Sequence, residues 1–437
     1  MTDSNPTPAA RAAVALGAVA DGFDFPTSLT FDDDGVAFIA ESGLDFDDPG
    51  GAPRGTVWRL APDGERSRVV GDLHGPVNGL VWHAGTLYVS EGGQPARLSR
   101  LELDGTLHVL VEGFPGPGNY HLNMAAVGPD QKLYFSQGAM TNSAIVGLDS
   151  YDIGWLRRMP HGHDVPGFDI TLAGIDVETA DPRSSVEGAR ATTGAFAPFG
   201  TPTRAGQRVA AALPATASIM RCNLDGSDLE LVAWGLRNAY GLGFLSDGRL
   251  IAIDQGADDR GSRPIGNAPD ALFEVHEGAW YGWPDFVAGV PVTDSRFAPT
   301  RGPQPSFLLT GHDALPEPER PLLVFPPHVA AVKFDTADTD HGMPETLVVA
   351  LFGDEAPMTG PEGPRIGRGI ALVDTATWQM RPLVSGGPLH RPIDVRVHGD
   401  TAYILDFGRF EMTRHGVDAD AGSGCLWRLP LDGGSQD

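Results

Sequence analysis

Apolar and polar residues alternate along this chain in short runs that come in pairs. The first pair reads LTFDDDGVAFIAE, Leu29 to Glu41: a strand, an Asp/Gly turn, a second strand and a polar ending. Period-two alternation bounded by turn residues is the mark of a β-hairpin. The unit returns as LVWHAGTLYVSE, Leu80 to Glu91, and as AVGPDQKLYFSQ, Ala126 to Gln137. A fourth copy, LGFLSDGRLIAID, ends at Asp254, and the last, VRVHGDTAYILD, runs from Val395 to Asp406. Between these two lies a degraded copy, VKFDTAD from Val332 and then LVVALF up to Phe352.

Most copies are followed by a second strand pair with its own turn, as in TVWRLAPDGERSRVV from Thr56 and IMRCNLDGSDLELVA from Ile219. Each copy therefore supplies about four antiparallel strands, one blade of a propeller, at the usual spacing of roughly 40–50 residues. Six copies predict an all-β, six-bladed β-propeller over residues 25–437, after an N-terminal segment 1–24. A lone four-stranded sheet cannot bury both faces; stacking in a ring does so and leaves only short edges. Residues 143–217 and 285–325 interrupt the rhythm. The first is too polar and small-residued for a core, so both are expected to crown one face as functional loops.

Charge narrows the function. The net charge of −26 argues against nucleic acid as a partner, because that affinity rests on Lys and Arg against phosphate. Lys132 and Lys333 are the only lysines, so any positive site must be built from arginine. Cys222 and Cys425 make neither a disulfide framework nor a zinc site and read as two buried thiols. No run approaches the roughly 18 apolar residues of a membrane span. The opening TDSNPTPAARAAVALGAVADGF, broken by Asp21, is a poor secretory signal, so the chain reads as cytoplasmic, with an exported mature form as the alternative.

The chemistry gathers where strands end. Glu41, Glu91, Gln137, Asp254 and Asp406 close the second strands and form a predicted polar ring at one mouth of the channel. Each alone is as readily a turn cap. His121, before the third copy, is a natural general base at neutral pH, although a histidine at such a position is commonly structural. Arg237 and Asn238 precede the fourth copy and Gln255 follows it, so the hairpin brings them to the same end. Arg237 suits an anion or an inter-blade salt bridge; Arg391 and His328 hold equivalent positions before the last and fifth copies. The loop Gly256-Ala257-Asp258-Asp259-Arg260 offers carbonyls and carboxylates appropriate to calcium. No G-x-S-x-G, H-E-x-x-H, Walker A or C-x-x-C motif is present.

These stretches resemble the soluble quinoprotein glucose dehydrogenase and sorbosone dehydrogenase family. The likeness spans Phe25 to Leu429 and is sharpest in HLNMAAVGPDQKLYFSQG, in GLRNAYGLGFLSDGRLIAIDQGADD with DALFEV and YGWP, and in FPPHVA with RPIDV. It implies a six-bladed propeller that oxidises a sugar-like or other polar alcohol with pyrroloquinoline quinone (PQQ) and calcium. On that pattern His121 is the base, and Arg237 and Asn238 hold the quinone oxygens. Gln255 lies at the cofactor, Gly256, Ala257 and Asp258 lie at the metal, and Arg391 meets a cofactor carboxylate. The chain departs from the family in having Gly256-Ala257 for Gly-Pro and Asp270-Ala271-Leu272 for Asp-Glu-Leu. A cofactor with three carboxylates would depend on arginine alone, with Arg365 and Arg368 as further candidates. Two other readings remain: a metal-assisted hydrolase or lactonase using Glu41, Asp254 and Asp406, and a non-catalytic binding propeller with a decayed quinone site.

Overall fold

A computed structural model describes residues 16–46, 51–337, 345–413 and 416–431. The repeat of the sequence becomes six sheets. Their first strands are Pro26–Phe31, Val77–His83, Leu122–Val127, Ala239–Phe244, Ala331–Ala337 and Pro392–His398. Each of these strands packs against the next, and the sixth packs against the first, so the ring is closed.

Local chemistry sets each hairpin. At the first turn the Asp32 carboxylate accepts from the amides of Asp34 (3.0 Å) and Val36 (2.8 Å), while Gly35 takes φ +79°. The second strand, Ala37–Glu41, is buried at every position, not only at alternate ones. Its alternation survives as a choice of neighbour. Ile39 packs towards the sixth blade with Val395 and Ile404, whereas Phe38 and Ala40 pack towards the second with Leu80 and Val89. The core is thus a set of apolar wedges between sheets. The degraded fifth copy builds a regular four-stranded blade, Thr346–Leu351 pairing with both Ala331–Ala337 and Gly369–Asp374.

The last blade takes a strand from the other end of the chain. Gly17–Phe23, which the sequence reading set apart in the N-terminal segment, pairs antiparallel with Gly424–Pro430. The propeller therefore begins at Gly17 in this structure, and Phe23 is fully buried in the wedge between the sixth and first blades.

The insertions lean on each other. Ile170–Leu172 of the first pairs with Arg208–Val209 and with Leu309–Thr310 of the second. The first insertion is also better packed than its composition suggests: Phe196 and Phe199 are buried, and Trp155 and Leu156 share a core with Phe199. Cys222 and Cys425 are buried free thiols, each pushed up to about 12 by burial. No helix among the described residues is long and apolar enough to cross a membrane.

Candidate active site

A cavity of about 970 Å³ opens at the ring axis. Thr27, Asn78, Asn123, Tyr240, Val332 and Ile393 line it, one residue from the first strand of each blade. One residue beyond Val332 in its strand, Lys333 closes the channel. Its Nζ donates to the carbonyls of Thr27 (2.7 Å) and Asn78 (2.6 Å) and stands 3.6 Å from the Asp394 carboxylate. Both side chains are fully buried, and burial draws the ammonium down to about 8.

Most of the predicted site meets here. His121, Arg237, Asn238, Gln255, Gly256, Ala257, Asp258 and His328 all line the cavity. The backbone arranges this directly: Gln255 N donates to Asn238 O (3.1 Å), locking the start and end of the fourth hairpin together. Asn238 then links two neighbours, accepting from Asn123 (2.8 Å) and donating to the Gln255 side chain (2.7 Å). Gly256 must be glycine, because a Cβ there would lie 2.4 Å from the Pro269 carbonyl.

His121 is held in an unusual state. Its Nδ1 is buried with no hydrogen-bond partner, leaving Nε2 as the nitrogen able to meet a ligand. Burial, aided by the charge of Arg158, lowers its pKa to about 4, so the ring is neutral across the physiological range. Such a group accepts a proton and is not already carrying one.

Arg237 is 3% exposed and fully engaged. Its guanidinium donates to Asn142, Tyr120, Asp258 and the carbonyls of Gln255 and Gly256, and stacks 4.2 Å from the Tyr120 ring centroid. Asp258 also accepts from Arg260 (2.9 Å) and Tyr120 (2.8 Å). Burial works to raise its pKa, but Arg237 and Arg260 together hold it below the usual carboxylate range. The Gly256 carbonyl and Asp258 carboxylate expected to bind calcium are therefore bound to arginine.

Two expectations fail on geometry. Arg391 does not reach the cavity. It lies behind Phe352 and Phe410, 1% exposed, donating to the carbonyls of Phe410 (3.0 Å) and Asp354 (2.6 Å) and to Glu411 (3.1 Å). Arg365 and Arg368 are likewise tied to Glu411 (2.6 and 2.7 Å).

The polar ring also does not converge, and none of its five members lines the cavity. Four carboxylates fold back onto the loop that leads into their own blade and accept from its amides. Glu41 takes the amide of Asp24 (2.9 Å), Glu91 that of His74 (2.7 Å), and Asp254 those of Arg237 (3.2 Å) and Asn238 (2.7 Å). Asp406 takes the amides of His390 (2.7 Å), Arg391 (3.0 Å) and Gly408 (2.9 Å). Gln137 donates to the carbonyls of Pro115 and Gly138. No group of three or more His, Cys, Asp or Glu able to hold a metal exists among the described residues. Glu41, Asp254 and Asp406 are not brought together, which removes the geometry that a metal-assisted hydrolase on these residues needs.

Other cavity residues carried little signal in the sequence. Arg158 and Trp155 arrive on a helix of the first insertion, Trp155–Arg158, and Trp155 donates to Asn119 (2.7 Å). Tyr120, the neighbour of His121, joins the arginine cluster. Glu355 lines the cavity from the neighbouring fifth-blade loop, close enough to feel the charges of Asp258 and Arg260, and burial lifts its carboxyl to about 7.

No family model matches the sequence, and no curated protein matches it. Solved structures do. The PQQ-bound aldose sugar dehydrogenase of Streptomyces coelicolor aligns at TM-score 0.57 with 15% identity, over 96% of this chain and 99% of that one. The holo PQQ domain of pyranose dehydrogenase from Coprinopsis cinerea gives 0.55 and 14%, over 97% and 98%. A calcium structure of the Trichoderma reesei family AA12 carbohydrate-active enzyme gives 0.57 and 15%, over 98% of each. The fold is the one these structures share.

Proposed function

We propose that the protein is a PQQ-dependent oxidoreductase that oxidises a sugar-like or other polar alcohol in the axial cavity. One observation carries this reading. A histidine kept neutral by burial, with an unpartnered Nδ1, shares a cavity of about 970 Å³ with the Asn238–Gln255 amide pair and Arg237. The volume and this donor set fit an ortho-quinone beside a small polyol. When bound, PQQ would supply the two-electron acceptor that no side chain provides.

The chain's own residues then have defined tasks. His121 accepts the substrate hydroxyl proton at Nε2. Asn238 is fixed by Asn123 and Gln255, so it presents its remaining amide hydrogen without reorganisation. Arg237, its donors all committed, acts through its charge and holds the Gln255–Gly256 backbone in place. Arg158 adds positive charge on the His121 side, where an anionic cofactor would need it. The likeness to sugar dehydrogenases supports the substrate class through the shared fold.

The test is reconstitution. Protein incubated with PQQ and passed through a desalting column should retain the quinone absorbance and reduce a dye with at least one aldose. His121→Asn should keep the absorbance and lose turnover by about 10²–10⁴-fold, the range for removing a general base. No retained quinone overturns the proposal; retained quinone with no turnover across aldoses and alcohols supports the non-catalytic binding reading instead.

A further inference from the structure

Arg237 sits in a seat built of oxygen. Its Nε donates to Asn142 O (3.1 Å), and Nη1 donates to the successive main-chain carbonyls of Gln255 (3.3 Å) and Gly256. Nη2 donates to Asn142 Oδ1 (2.7 Å), Asp258 Oδ2 (2.7 Å) and the Tyr120 hydroxyl. Six oxygens, with paired carbonyls and one carboxylate, make the kind of set that a hard divalent cation takes. Here a planar guanidinium fills it.

The seat is also electrically complete. Arg260 donates to Asp258 (2.9 Å) and Asp149 (2.7 Å), so two guanidinium groups face two carboxylates. A divalent ion at the Gly256 carbonyl would have to displace Arg237 or share a buried position with it. Either route carries the cost of an unpaired buried charge. The seat is fixed from behind as well: Asp258 N donates to Asn142 Oδ1 (2.9 Å), and Gly256 N donates to Asp270 (3.0 Å).

We propose that Arg237 is the resident cation of this site, so that a guanidinium neutralises its oxygens and the protein binds no calcium there. The inference deepens the oxidoreductase reading, since quinone uptake then requires no divalent metal.

Calorimetric titration of calcium chloride into EDTA-treated wild-type protein, without quinone, tests it directly. The expected result is no saturable site tighter than about 1 mM, the weak limit of built calcium sites, and no rise in melting temperature. Arg237→Ala vacates the seat. It should melt lower than wild type and regain part of the loss with millimolar methylguanidinium or calcium, because a ligand bound only by the folded state raises its stability. Adding Asp258→Asn to that variant should erase the response.

A single calcium site in wild-type protein, lost in Asp258→Asn, overturns the proposal. So does an Arg237→Ala protein that responds to neither cation. Tryptophan quenching by PQQ, in EDTA and in calcium, separates the two readings. Equal quenching supports both, and calcium-dependent quenching contradicts the resident guanidinium. Absent quenching in both buffers sinks the dehydrogenase reading, while the calcium titration still decides the cation.

Discussion

His121 is neutral chiefly because of where it lies, with the charge of Arg158 adding to the effect of burial. Its folded pKa of about 4 falls below the unfolded value of roughly 6.5. The acid limb of kcat/KM for PQQ-loaded protein should therefore fall near pH 4, and an inflection near 6.5 would show an ordinary solvated imidazole. The same shift has a stability consequence. Between pH 6.5 and 4 the unfolded chain protonates this histidine and the folded chain does not, so acidification through that window destabilises the protein. His121→Asn removes the penalty, and its urea midpoint should gain on wild type as pH falls from 6.5 to 4. Asp254 works in the opposite sense: burial raises it to about 7, so its contribution is present at low pH and lost as pH rises through 7. Lys333 is the other exposed weakness. Lys333→Met leaves the fully buried Asp394 with Arg396 (3.7 Å) as its remaining countercharge, and urea denaturation should show a loss of up to about 3–5 kcal/mol.

At the scale of elements, the hairpins were legible because period-two alternation and Asp/Gly turns are local properties. The direction of a strand-end carboxylate is not. Glu41, Glu91, Asp254 and Asp406 stand where a sequence places a channel rim, yet each turns back to amides in its own blade's lead-in loop. Arg391 was misplaced for a similar reason. Its position matches that of Arg237, but Phe352 and Phe410 stand between it and the cavity. Arg158 could not be found by motif, because only the folding of the first insertion over the ring brings it in, and Asn142, just ahead of that insertion, reaches Arg237 by a contact no local pattern marks. The closing strand was hidden in a thin Ala/Val run whose partner lies at the far end of the chain. Phe23 anchors it, so Phe23→Ala should cost about 3–5 kcal/mol in chemical denaturation, as for other fully buried aromatics. A loss under about 0.5 kcal/mol, typical of surface substitutions, would mean that this strand does not hold the ring.

At the scale of the whole molecule, ring closure creates the site. Six first strands each give one residue to a common floor, and Lys333 with Asp394 stops the channel below it. Lead-in loops and the first insertion raise the wall, and the arginine–carboxylate cluster around Arg237 fixes one side of it. Among the described residues the buried positive charge of this strongly acidic chain lies at Arg237 and Arg260 in this cavity and at Arg263, Lys333 and Arg391, which suits a protein whose partner is a small polar molecule. The claim that matters most is that this cavity oxidises an alcohol with His121 as the base. It is tested most directly by adding one equivalent of an aldose, anaerobically, to protein carrying stoichiometric PQQ and following the quinone absorbance. Wild-type protein should lose the oxidised-quinone band in a single phase, and His121→Asn should lose it about 10²–10⁴-fold more slowly. A band that persists in wild type with every aldose and alcohol tried, or that disappears equally fast in both proteins, would contradict the account.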